Sequence, residues 1–141
     1  KKPHIDFDGV PPLGDELDQI PWKTLEHAYG TAEDVPAQIR NLLSGNSVDS
    51  FYSNVFHQGS LYTATPKTIP FLLQFLQYTQ VAEELKRDII VLLANFSCPF
   101  AEDRVCNLDL PKILSSYYVE CRNEVIKGFP ILFALLCQKK F

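Results

Sequence analysis

The sequence predicts an all-α chain of about seven helices, stacked as antiparallel pairs into a right-handed superhelix. Three observations predict it. Apolar residues recur at i, i+3, i+4 and i+7 in most segments, strand-like alternation is short wherever it occurs, and Pro-led, Leu-rich segments come back along the chain. At 141 residues the chain has the length of one domain that builds its core without metal or disulfide staples.

Residues 1–20 combine Pro3, Pro11, Pro12, Gly9 and Gly14 with acidic side chains and show no sustained period. They read as an extended acidic, Pro-rich arm, and residues 21–141 as the helical domain. "PWKTLEHAYG" opens that domain as a helix with Trp22, Leu25 and Tyr29 on one face and a stop at Gly30. "DVPAQIRNLLSG" has Asp34 as N-cap and Ile39, Leu42 and Leu43 on one face. "SVDSFYSNVFHQG" places Val48, Phe51, Tyr52, Val55 and Phe56 on a full helical stripe, with Ser47 as N-cap and Gly59 at the C-terminal stop.

"TPKTIPFLLQFLQ" follows, with Thr65 as N-cap, Pro66 in the first turn and Pro70 inside, where it predicts a kink. Its apolar residues run nearly all round, so it belongs at the centre. "VAEELKRDIIVLLANFS" has the clearest stripe, Leu85, Ile89, Leu92, Leu93 and Phe96, with Glu83, Glu84, Lys86, Arg87 and Asp88 expected in water. "CPFAEDRVCNLDL" is a connection. "PKILSSYYVECRNEVIKG" then presents Tyr117 or Tyr118, Cys121 and Val125, and the last helix, "FPILFALLCQKK", is apolar on nearly every side. One preceding helix pair cannot bury all of that last helix. It is expected to pack on another copy or on further repeats of a longer protein.

Aligning prolines brings "VPAQIRNLLSG" at 35, "IPFLLQFLQYT" at 69 and "FPILFALLCQK" at 129 into register, the first two 34 residues apart. This pattern is similar to the HEAT-type, armadillo-like α-solenoids. More narrowly, "LEHAYGTAEDVPAQIRNLLSG" followed by "NVFHQGSLYTATPKTIPFLLQFL" resembles a group of bacterial HEAT-repeat proteins without an agreed catalytic set. The resemblance covers roughly residues 22–138, and its specific part is 25–76. It implies the solenoid fold and carries over no active-site residue; the repeat and the charge-poor centre described below are read as a non-enzymatic protein-interaction module or scaffold. The chain departs from the usual repeat where "SVDSFYSNVFHQ" lacks the Arg or Lys common in the second helix.

Composition narrows function. The formal net charge is −4, from 13 basic and 17 acidic residues, with no clustered Lys and Arg to follow a phosphate backbone. Nucleic acid is not expected as a partner, which also disfavours the glycosylase branch of HEAT-like enzymes. A hydroxylase would need His-Glu pairs, and the sequence has no such dipeptide; a lyase is the remaining enzymatic alternative. No apolar run reaches the ~20 residues of a membrane span. "KKPHIDFDGVPPLGDEL" lacks the apolar stretch of a signal sequence, and a cytoplasmic location is expected.

Cys98, Cys106, Cys121 and Cys137 show no zinc spacing. Two disulfides in three connectivities stay open on spacing alone; free thiols are expected, with Cys121 and Cys137 on apolar stripes. His4, Asp6 and Asp8 of "HIDFD" would share one side of an extended arm, but without a second ligand source they read as solvated acids, and no metal or cofactor is expected. His57 reads as a cap at a helix C-terminus rather than a base, and Glu26, His27 and Asp34 as a capped helix end that imitates an acid/base cluster.

Between residues 35 and 82 the only charged side chains are Arg40, Asp49 and Lys67. That neutral, amide- and tyrosine-bearing stretch suits protein recognition. Gln58, Tyr62, Gln74, Gln77 and Tyr78 are its candidate partner contacts, the partner being another protein, with homo-oligomerisation through the C-terminal helix as the alternative.

Overall fold

The structure is a computed structural model that describes residues 15–45, 47–57, 60–97 and 116–138. It is mostly helical, with two small antiparallel hairpins. In order these are α1 (Asp15–Asp18), a 3-10 turn (Trp22–Thr24), β1 (Glu26–His27), β2 (Gly30–Thr31), a 3-10 turn (Ala32–Asp34), α2 (Val35–Gly45), α3 (Asp49–Ser53), β3 (Phe56–His57), β4 (Ser60–Leu61), α4 (Thr65–Phe75), α5 (Glu83–Ser97), α6 (Ser116–Lys127) and α7 (Phe129–Cys137).

One contiguous core runs through all of it, from Leu17, Trp22 and Ile39 through Phe51, Leu72 and Phe75 to Phe96, Tyr118 and Cys121. The α5 stripe is buried as its period predicts, with Leu85, Ile89, Leu92, Leu93 and Phe96 at most 2% exposed. Helix α4 is central: Ile69, Phe71, Leu72, Leu73 and Phe75 are all buried, and α6 packs across both α4 and α5. Tyr118 of α6 reaches the second hairpin, its hydroxyl accepting the Leu61 N–H at 3.0 Å.

Several expectations are corrected. The segment ending the proposed arm is helical at Asp15–Asp18, and Leu17 is fully buried. The Trp22 indole donates to the Leu17 carbonyl at 2.8 Å, and Arg40 Nη2 meets Asp18 Oδ2 at 2.9 Å, so this turn is docked from two sides.

"PWKTLEHAYG" does not continue as a helix beyond Thr24. Leu25 is extended, at φ −104° and ψ 160°. The Glu26 and Ala28 N–H groups, which a helix would direct four residues back, donate instead to Thr63 Oγ1 at 2.9 Å and the Asn54 carbonyl at 3.0 Å. "SVDSFYSNVFHQG" likewise stops at Ser53, with Asn54 at φ −135° and ψ −55°. Thr65 Oγ1 donates to the Val55 carbonyl at 2.5 Å and accepts the Tyr62 N–H at 2.9 Å, which holds the chain in a turn after β4. Ser47 Oγ accepts the Asp49 N–H at 3.1 Å, but the residue that caps this helix is Val48, which makes no side-chain capping bond. Thr65 is the first residue of α4 rather than its cap, which is Ala64.

The proline register also changes. Pro36, Pro66 and Pro130 are each the second residue of a helix, α2, α4 and α7, whereas Pro70 lies on the exposed side within α4. The equivalent of Pro36 is therefore Pro66, in the first-turn position where a missing N–H costs nothing. Among the described residues no helix is long and apolar enough to cross a membrane. Gly59, Cys98, Cys106 and the "HIDFD" stretch lie outside the described residues.

Candidate functional site

The polar residues singled out by sequence meet where the two hairpins join. In the first, Glu26 pairs with Thr31 and His27 with Gly30; in the second, Phe56 pairs with Leu61 and His57 with Ser60. Gly30 adopts φ +130°, a backbone state that side chains rarely tolerate. Ala64 N–H donates to the Glu26 carbonyl at 3.1 Å, completing the links between the first hairpin and the 54–64 segment. Tyr29 projects at the first hairpin's tip, 70% exposed, its ring edge-on to His57 at 5.5 Å.

His27 is buried and uses both ring nitrogens. The Tyr29 backbone N–H points at Nδ1 at 3.0 Å, and an amide can only donate, so Nδ1 carries the lone pair. Nε2 therefore carries the hydrogen and donates to Asp34 Oδ1 at 2.7 Å. Asp34 Oδ2 accepts from Gln38 Nε2 at 3.2 Å. A general base or metal ligand needs a free lone pair on its ring, and His27 has none to offer. The His–Asp pair is a clasp tying β1 to the start of α2.

His57 sits in β3, not at a helix end, so the helix-capping role expected for it does not apply. Among the described residues it has no hydrogen-bonded carboxylate to orient it as a catalytic base. No group of three His, Cys, Asp or Glu side chains that could hold a metal ion occurs among the described residues.

Four of the five expected partner contacts fall among the described residues. Tyr78 is corrected outright: it is 1% exposed, packs edge-on against Phe75 at 5.6 Å, and belongs to the core. Burial and the Glu16 charge push its phenol pKa up. Tyr62 and Gln74 are half-buried, Gln77 is exposed, and Gln58 lies outside the described residues.

The exposed apolar surface lies elsewhere. On α7, Phe133 and Leu136 are 61% and 63% exposed, and Phe129 stacks edge-on to Phe133 at 6.2 Å. Val91 of α5 and Ile126 of α6 add to the exposed apolar side chains. Between α5 and α7 runs a groove of about 490 Å³ lined by Ile90, Val91, Leu132, Leu135 and Leu136, with Arg87 at its edge. Sequence reasoning anticipated this excess of apolar residues in the last helix. Cys137, expected on a buried stripe, is exposed; Cys121 is buried, and both are free thiols.

The chain matches no known family model, no curated protein and no solved structure.

Proposed function

We propose that this chain is a non-enzymatic protein-interaction module whose contact surface is the apolar face formed by α7 and the adjoining side of α5. The observation that carries the proposal is the exposure of Phe133, Leu136 and Val91 beside an apolar groove. Isolated exposed apolar residues are ordinary; a groove with aromatic side chains beside it is a docking feature. The non-catalytic part of the reading rests on His27, whose ring nitrogens are both engaged. A HEAT-like superhelix is the architecture we favour for the scaffold. Three Leu-rich helices that each begin with a proline at the second residue support it.

The partner is a protein, either a second copy of the chain or a different one. Light scattering on a size-exclusion column separates the two, since a self-associating chain elutes as a dimer at micromolar concentration. Phe133→Asp with Leu136→Asp is expected to keep the far-UV CD spectrum, because both side chains are exposed, and to abolish either association. A double variant that still self-associates, or still captures the same crosslinked partner as wild type, rules the α7 face out.

A further inference from the structure

The tip of the first hairpin is tied to a single imidazole. Ala28 and Tyr29 form the turn between β1 and β2, and the chain leaves it through Gly30 at φ +130°. The Ala28 N–H is held from outside the hairpin, by the Asn54 carbonyl at 3.0 Å. The Tyr29 N–H is held from within it, by His27 Nδ1 at 3.0 Å. The residue positioned by that bond is 70% exposed.

Nδ1 can accept only while the ring is neutral. An imidazolium carries a hydrogen on both nitrogens, so a second proton on His27 sets Nδ1–H against the Tyr29 N–H, donor against donor. A ring flip gives no relief, because neither nitrogen then keeps a lone pair. The other contact responds in the opposite sense. Nε2–H keeps its bond to Asp34 Oδ1 at 2.7 Å, now as a charge-assisted pair. The titratable groups about the ring are Asp34, just ahead of α2, and His57 of β3. His57 lies across the Tyr29 ring, which is edge-on to His27 and His57 at 6.4 and 5.5 Å. From α2 the nearby side chain is Gln38, neutral and bonded to Asp34. Glu26, next to His27 in β1, is exposed on the opposite face of the strand.

We propose that the His27 clasp is a pH-sensitive catch. A second proton on His27 releases the Tyr29 amide, and with it the hairpin tip, while the ring stays anchored on Asp34. The bistable part is the turn at Ala28 and Tyr29, and what it changes is how the Tyr29 side chain is presented to solvent and against His57. The catch is independent of the α7 docking face and survives that proposal's failure.

Nitrogen-15 NMR of the wild-type chain between pH 8 and pH 5 is the test. At pH 8 the ring nitrogens of His27 are expected to show the hydrogen on Nε2 alone. On acidification the Tyr29 amide is expected to move upfield and to lose about 10-fold or more of its hydrogen-exchange protection. Both changes are expected to share the midpoint of the His27 ring, while the Ala28 amide keeps its protection. Asp34→Asn is expected to move the ring and amide midpoints together to lower pH, because the carboxylate favours the charged ring. His57→Gln is expected to leave both in place. A His27 ring that stays neutral until the chain unfolds, a Tyr29 amide indifferent to the ring's proton, or one that follows His57 instead would each overturn the proposal. All three outcomes are read on the wild-type chain, so the test holds even if a variant fails to fold.

Discussion

Removing the buried His27 imidazole deletes the acceptor of the Tyr29 amide and the donor to Asp34, and empties a packed site. His27→Ala is therefore expected to lower stability by about 2–3 kcal/mol in urea unfolding. Asp34→Asn should cost under about 1 kcal/mol, because Asp34 is largely solvent-exposed and an amide oxygen still accepts from Nε2. Equal losses from both would mean that the pairing depends on charge. At this scale Lys86 shows how a residue is misread. Charge alone assigned it to water, although it stands three residues before Ile89 and seven before Leu93, on the side that both of them bury. Tyr78 was misjudged in the opposite direction. A phenol among glutamines reads as surface, and only packing against Phe75 reveals it as core.

Among the elements, α4, α5 and α7 were legible because a 3.6-residue period or a first-turn proline is a local signal. The hairpins were not. Two-residue strands are too short to show alternation, and what holds them is distant in sequence: Thr63 Oγ1 for Glu26, the Asn54 carbonyl for Ala28, and the Tyr118 hydroxyl for Leu61. A helical stripe such as Val48–Phe56 therefore carried on, on paper, through a turn that tertiary bonds impose. The link between α6 and α7 shows the same dependence. Gly128 lies directly on the Leu73 side chain of α4, and a Cβ added there would overlap the Leu73 methyl groups. Gly128→Ala is expected to destabilise by about 1–3 kcal/mol by overpacking. Adding Leu73→Val, which trims that contact, should recover part of the loss in a double-mutant cycle.

Taken as a whole, the molecule holds several protons more tightly folded than unfolded. Burial, then the charges of Glu120 and Glu124, raises the pKa of the Cys121 thiol. Tyr78 is raised chiefly by burial, and Lys127 by its hydrogen bond to Glu124. A raised folded pKa contributes stability that is complete below the unfolded value and is lost as pH climbs through the folded one. Stability should thus be level to about pH 9 and then decline, with Cys121 alone contributing a slope of about 1.4 kcal/mol per pH unit. Urea midpoints between pH 7 and 11 check this, and Cys121→Ala should flatten the alkaline slope. In alkylation with peptide mapping, Cys137 should react in the native state and Cys121 only after unfolding.

The bond from Leu61 to Tyr118 has a consequence for synthesis. The two groups are 57 residues apart, and Lys67 and Glu120 form a second tie over nearly the same span. During translation, at roughly 5–20 residues per second, the β4 edge spends several seconds with its amide donor open before α6 leaves the ribosome. Closure of that edge therefore comes late in folding, with water holding the Leu61 amide until α6 arrives.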